Sequence, residues 1–343
     1  MLLIILFTNI CAGQNKAYKI RTVAFYNVEN LFDTIDDPEK KDDDYAKGGK
    51  NKFTASQYKH KIENIARVIS NLGFDMTHTS PVILGLAEIE NRQVLEDLTR
   101  AGPIRDQQYR FIHYDSPDIR GIDVALMYRP DIFAPIHQEN IELRIWNETG
   151  ARIYTRDLLW VSGIMDNEVI HILVNHWPSR RGGKIRSEPK RMKAAYVVRE
   201  VVKKILAEQD DAKIIIMGDF NDDPIDKSII KGLIGSRTRQ SNDTIPLFNP
   251  MEKLYRKGLN TLAYRDGLNL FDQMILSKTF RGEFLSSQGF TLYMAGIYNP
   301  EYITKNNGKY KGYPFRSFEN NRFVGGFSDH FPVYLYLVKP DLP

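Results

Sequence analysis

Acidic, amide and imidazole side chains recur where apolar runs of this chain end, and such groups at such places can do phosphate chemistry. Asp219 and Asn221 form the sharpest pair, within Met217-Gly218-Asp219-Phe220-Asn221. Two residues apart in extended chain, both side chains would point to one face. One can orient or deprotonate a water; the other can donate to a phosphate oxygen. The same residues also read as an ordinary Gly-Asp turn. Asp329 and His330 follow Gly325-Gly326-Phe327-Ser328. The imidazole can protonate or polarise a phosphate oxygen, and Asp329 can hold a metal. Asp272 is a candidate partner for the other ring nitrogen of His330, although alone it reads equally as a turn or helix cap. Asn27, Glu29, Glu88 and His176 also stand at ends of apolar runs. The candidate metal ligands are oxygen donors, which suit Mg²⁺, Mn²⁺ or Ca²⁺ better than zinc.

These groups meet only if the elements carrying them are neighbours. Residues 19–26, 82–87, 124–128, 170–174, 214–217, 271–276 and 333–337 read as strands, most of them short apolar runs of the buried kind. Thr54-Ala55-Ser56-Gln57 is a capping box opening a helix with Ile62, Ile65, Val68, Ile69 and Leu72 on its apolar stripe. Residues 187–208 read as a long amphipathic helix with Ala194, Ala195, Val198, Val201 and Ile205 inward. Strands outnumber helices and several connections are hairpin-length. The expectation is sheet packed on sheet with helices outside, and the polar strand ends converging at one rim. Residues 33–44, with seven carboxylates against two lysines, and 296–321, rich in Gly, Asn and Tyr, read as long surface loops.

The 343 residues are enough for a sizeable core without staples. Cys11 is the single cysteine, which excludes an intrachain disulfide framework and a cysteine zinc site. A formal charge of +4 neither identifies nor excludes a nucleic-acid partner. Residues 1–13, apolar and then small, read as a signal peptide, with no Lys or Arg before the apolar run. Export to a periplasmic or extracellular space is therefore expected, with residues 14–343 as a single domain. Lipid anchoring through Cys11 fits poorly, because Asn9 and Ile10 make a poor lipobox. No stable membrane insertion and a monomer are expected.

The ordered motifs resemble the endonuclease/exonuclease/phosphatase superfamily. This metal-dependent phosphoesterase group includes deoxyribonuclease, abasic-site endonucleases, sphingomyelinases and inositol polyphosphate 5-phosphatases. The resemblance rests on Phe25-Tyr26-Asn27-Val28-Glu29-Asn30, Gly85-Leu86-Ala87-Glu88, Asp123-Val124-Ala125-Leu126-Met127-Tyr128, Asn175-His176-Trp177, Gly218-Asp219-Phe220-Asn221, Asp272 and Ser328-Asp329-His330. It spans residues 19–338. It implies a four-layer α/β sandwich, two mixed sheets between helices. It also implies Glu88 as the principal metal ligand, with Asn27, Glu29 and Asp329 completing the metal and phosphate environment. Asp219 would position or activate the attacking water, and Asn221 would bond a phosphate oxygen or that water. His330, oriented by Asp272, would stabilise the phosphorane or protonate the leaving oxygen. His176 stands where abasic-site endonucleases usually carry Asn, so the resemblance is to the deoxyribonuclease-like, sphingomyelinase-like and 5-phosphatase-like members. It implies a second phosphate-facing imidazole there.

Between His176 and Lys193 there are seven Lys or Arg and one acid, Glu188. The rest of the chain is consequently net negative. A basic lip including Arg180, Arg181 and Lys184 is expected to hold an anionic substrate, with Arg120 and Arg156 as further phosphate contacts; a solvated loop and helix start is the alternative. The expected activity is phosphodiester hydrolysis of DNA or RNA with Mg²⁺, or with Mn²⁺ or Ca²⁺ in its place. The alternatives are a phosphomonoesterase and a sphingomyelinase-like phospholipid hydrolase. For the last, residues 290–298 are the one candidate apolar hairpin.

Overall fold

A computed structural model describes residues 17–235, 244–264, 267–282 and 287–341. The expected signal segment and Cys11 lie outside the described residues. Twelve strands build two six-stranded sheets. In chain order they are β1 (Tyr18–Leu31), β2 (Ile83–Ile89), β3 (Arg110–His113), β4 (Asp123–Tyr128), β5 (Phe133–Ile141), β6 (Leu158–Met165), β7 (Glu168–His176), β8 (Lys213–Asp219), β9 (Leu247–Phe248), β10 (Asp272–Ser277), β11 (Thr291–Ile297) and β12 (Val333–Pro340). The first sheet runs β11-β12-β1-β2-β4-β3 and the second β9-β10-β8-β7-β6-β5. Each is mixed: β1 and β2 are parallel, as are β7 and β8, and the remaining pairs are antiparallel.

Alternation along the strands sorts the side chains into three cores. Val23 and Phe25 of β1 meet Ile172, Val174, Ile215 and Met217 between the sheets. Ala24, Tyr26, Leu84 and Leu86 face the other way, onto helices α1 (Ala55–Asn71) and α2 (Arg92–Arg100). Leu173, Ile214 and Ile216 face helix α3 (Lys184–Glu208). The result is the helix–sheet–sheet–helix sandwich that the strand count implied. Thr54 caps α1 as the sequence predicts: its hydroxyl accepts from Gln57 N at 3.3 Å and the Gln57 carboxamide accepts from Thr54 N at 3.0 Å.

Strands β3, β5, β6, β9 and β11 were not expected from sequence. Strand β5 carries Pro135, His137, Gln138 and Glu139, which hide a strand in a polar stretch; a sheet edge tolerates them. Residues 291–297, the candidate apolar hairpin, are instead the edge strand β11, paired with β12. Helix α3 begins at Lys184, three residues before the expected start, so the basic lip is partly helix.

Candidate active site

Strand parity carries the expected groups to one place. Asn27 continues the inward series Val23 and Phe25; His176 continues Ile172 and Val174; Asp219 continues Ile215 and Met217; Asp272 precedes Met274 and Leu276. Each polar residue is thus the next inward position after the sandwich runs out of apolar ones. Asp219 pairs with His176 on one side and Asp272 on the other. The Asn27 amide then bridges the sheets, donating to Asp219 Oδ2 at 3.1 Å.

Glu88 arrives by a different route. Its neighbours Leu84 and Leu86 face the outer helices, so unbroken alternation would bury Glu88 among apolar side chains there. Instead the pairing of β2 slips between Ala87 and Ile89, and Glu88 takes φ 67°. Such bulges re-aim a side chain at a sheet margin. Strand β1 slips at the matching place, where Glu29 (φ 51°) and Asn30 (φ 48°) are both left-handed. This turn presents two amides to the site. Asn30 N donates to Glu88 Oε2 at 2.7 Å, and Glu29 N donates to Asn27 Oδ1 at 3.1 Å.

His330 Nδ1 lies 2.7 Å from Asp272 Oδ2. Burial opposes a charge on this ring. The carboxylates of Asp272, Asp219 and Asp329 outweigh burial and hold its pKa well above the ordinary value. His176 shows the opposite balance: burial, Arg156 and Arg120 push it well below, so it is neutral. Its Nε2 sits 3.5 Å from Asp219 Oδ2 and 3.9 Å from Glu88 Oε1. Asp219 is pushed up to about 7, chiefly by burial, with Asp272 and Glu88 adding to the shift and His330 opposing it.

Several sequence expectations are corrected by these contacts. Glu29 does not face Glu88: its carboxylate accepts from Ser317 N at 2.6 Å and pairs with Arg316 at 3.0 Å, which accounts for its burial without a metal. Asp329 shares that Arg316 at 3.1 Å. Asn221 is not in extended chain beside Asp219 but left-handed at φ 50°; its Nδ2 donates to Trp177 O at 3.0 Å and its N to Asp219 Oδ1 at 2.9 Å. Arg156 is buried, not poised for substrate; it pairs with Asp118 at 3.1 Å and donates to Trp177 O at 2.5 Å. Arg120 closes on the same Asp118 at 2.9 Å. Arg180 reaches Asp222, Asp223 and Asp226 at 3.2, 3.2 and 2.7 Å, and Lys184 joins Asp226 at 2.6 Å. The lip is therefore less basic than its composition, with these two of its seven cations held by aspartates. Arg181 is exposed, makes no ion pair with a described residue, and lines a cleft of about 700 Å³ with Asn221, Leu262 and Phe271.

Sequence reasoning missed the burial of Arg199 and of two fully buried cations, Lys61 and Arg191. The signal was present: Lys61 is spaced four and seven residues from Ile65 and Val68, and Arg191 likewise from Ala195 and Val198. Both therefore sit on apolar stripes. Arg316 gave no local signal.

The residues fit a hard divalent cation. Glu88 offers carboxylate oxygens; Asn27 turns its amide nitrogen to Glu88 and Asp219 and its Oδ1 to Glu29 N, so it would serve a cation only through that Oδ1, and Asp219 beside them bears the elevated pKa expected of a buried carboxylate short of positive charge. Asp219, Asp272 and His330 also present ligand atoms within 4.8 Å of one another. The 2.7 Å His330–Asp272 contact already occupies that trio, so Glu88 is the better anchor.

Residues 22–339 match the model of the Endonuclease/Exonuclease/phosphatase family. No curated protein sequence matches the chain. Among solved structures, Danio rerio TDP2 complexed with a single-strand DNA product is similar at 15% identity and TM-score 0.54, covering 93% of this chain and 98% of that one. A mannosyl-6-phosphatase from Bacteroides thetaiotaomicron is 17% identical, with TM-score 0.53 and coverages of 92% and 99%. The human Nocturnin catalytic domain, with bound sulfate, is 14% identical, with TM-score 0.52 and coverages of 94% and 97%. The chain belongs to the endonuclease/exonuclease/phosphatase family and has its two-sheet sandwich fold.

Proposed function

We propose that the protein is a metal-dependent phosphodiester hydrolase acting on DNA or RNA. One observation carries the reading: a charged His330–Asp272 pair, a neutral His176, Asp219 and Glu88 with Asn27 converge on one rim of the sandwich. A divalent cation held by Glu88 and Asn27 would supply Lewis acidity and offset charge developing on the phosphate. Asp219, next to His176 and the Asn27 amide, orients the attacking water and accepts its proton. The water oxygen forms the new bond to phosphorus as the bond to the leaving oxygen breaks. His330, kept protonated by Asp272, donates to a phosphorane oxygen or to the departing one. His176 offers a second, neutral donor, and Asn221 keeps one amide hydrogen for phosphate after bonding Trp177 O.

The solved TDP2 complex with a single-strand DNA product supports a nucleic-acid substrate on this fold. Hydrolysis of a phosphomonoester is the second reading, favoured by a specific observation: Arg180, Lys184 and Arg191 are paired with aspartates, which takes three of the seven basic side chains of the lip away from a polyanion. Plasmid DNA, single-strand DNA, RNA, sphingomyelin and a sugar phosphate assayed with Mg²⁺ or Mn²⁺ separate these. Turnover of the nucleic acids supports the first reading; turnover confined to the sugar phosphate overturns it in favour of the second. Export is proposed on residues 1–13 alone, and the N-terminal sequence of the mature protein tests it.

A further inference from the structure

The side chain that most resists a bland explanation is Lys61. It sits on α1, fully buried, on a stripe otherwise filled by Ile62, Ile65, Val68 and Ile69. A buried ammonium is costly unless its donors are used. Here they are used on backbone, not on a carboxylate. Lys61 Nζ donates to Glu29 O and, at 3.0 Å, to Asn30 O, with the Phe318 ring 5.3 Å away. Those carbonyls belong to the left-handed pair that forms the β1 slip. Two consecutive non-glycine residues in that region are strained, so something must hold them there.

The connection to the site runs through one peptide group. The carbonyl of Glu29 and the amide of Asn30 are two ends of the same peptide bond. Lys61 donates to the carbonyl end, and the amide end donates to Glu88 Oε2 at 2.7 Å. A cation on a carbonyl polarises the peptide and strengthens its N–H as a donor, so the two bonds support each other. The neighbouring amide, Glu29 N, fixes Asn27 Oδ1. Both proposed cation ligands are thus bonded to the turn that Lys61 clamps.

We infer that Lys61 is a positioning residue for the divalent-cation site: through the Glu29–Asn30 peptide it orients Glu88 and Asn27 and sets the affinity for the metal, without touching metal or substrate. The inference rests on the metal-dependent reading above. It assigns Lys61 an effect on metal affinity in preference to turnover at saturating metal.

The test is Mn²⁺ binding to the metal-stripped protein, followed by electron paramagnetic resonance of free Mn²⁺, together with kcat at saturating Mn²⁺. Lys61→Met is expected to weaken Mn²⁺ binding about 10- to 100-fold, as loss of groups that orient ligands commonly does, while kcat at saturation stays within a few-fold. Lys61→Gln keeps one donor without the charge; it is expected to fall between Lys61→Met and wild type, and it serves if the Met variant does not fold. Ile65→Ala, equally buried in α1, is the control for damage to the helix, and its Mn²⁺ affinity is expected to match wild type. Wild-type affinity in both Lys61 variants overturns the inference. So does an equal loss in Ile65→Ala, since helix damage would then be enough. A wild-type protein that binds no Mn²⁺ instead overturns the metal-dependent reading itself.

Discussion

Two buried imidazoles share this rim and are driven apart in charge. His330 is held protonated by Asp272, and His176 is held neutral by burial and two arginines. One can therefore serve developing negative charge as a cation, the other as a neutral donor. Replacing His330 or Asp219 by Ala is expected to lower kcat about 10²- to 10⁴-fold, measured on any phosphoester the protein turns over. The pH profile follows from the same shifts. Asp219 is pushed up to about 7 in the metal-free protein and a bound cation lowers it, so activity should rise below pH 7 as Asp219 loses its proton and fall on the alkaline side where His330 loses its own. Asp272→Asn should move the alkaline limb to lower pH; an unmoved limb would contradict the pairing. Stability carries its own sign. The folded-state pKa of Asp219 lies above its unfolded value of 3.8, so the fold loses stability as pH rises from about 4 through 7. Asp219→Asn should therefore raise the melting temperature of the metal-free protein at pH 8 while abolishing turnover, and an unchanged or lower value would refute the burial argument.

At the scale of elements, strand ends are where the sequence was most legible. Asn27, His176, Asp219 and Asp272 each continue an inward alternation, so recognising the strand was enough to place the side chain. Glu88 and Glu29 could not be placed that way, because a glutamate at positive φ has no sequence marker comparable to a glycine. Asn221 failed for the same reason. The lip failed differently: Asp222, Asp223 and Asp226 were in plain sight, but nothing local says that they fold back onto Arg180 and Lys184. Arg191 belongs to the same network, fully buried at 2.7 Å from Asp222. Arg191→Met should cost about 3–5 kcal/mol by leaving a buried carboxylate with one partner fewer, read from denaturant unfolding. Thr54→Ala, at the α1 cap, should cost only about 1 kcal/mol.

For the molecule as a whole, the modest +4 conceals an arrangement that composition could not show. Basic residues concentrate between His176 and Lys193, yet much of that charge is spent on internal ion pairs. Arg181 remains exposed at the cleft mouth. If a polyanion binds there, Arg181→Gln should flatten the salt dependence of binding, whereas Arg180→Gln should lower stability. An equal flattening by both would mean that Arg180 also holds the polyanion, as part of a basic lip. The sandwich itself was legible because strand-rich apolar runs with polar ends leave few other ways to bury both faces. Edge strands β5 and β11 were not, since an edge needs only half of its groups buried.

The most direct test of the central claim is the initial rate of single-strand DNA hydrolysis by metal-stripped protein across a Mg²⁺ titration, for wild type, Glu88→Gln and His330→Ala. No turnover in EDTA is expected, with saturable recovery on adding Mg²⁺. Glu88→Gln should need more Mg²⁺, and His330→Ala should saturate normally at a rate lower by about 10²-fold or more. Full turnover in EDTA, or a near wild-type rate for His330→Ala, would contradict a metal-assisted, histidine-stabilised hydrolysis at this rim.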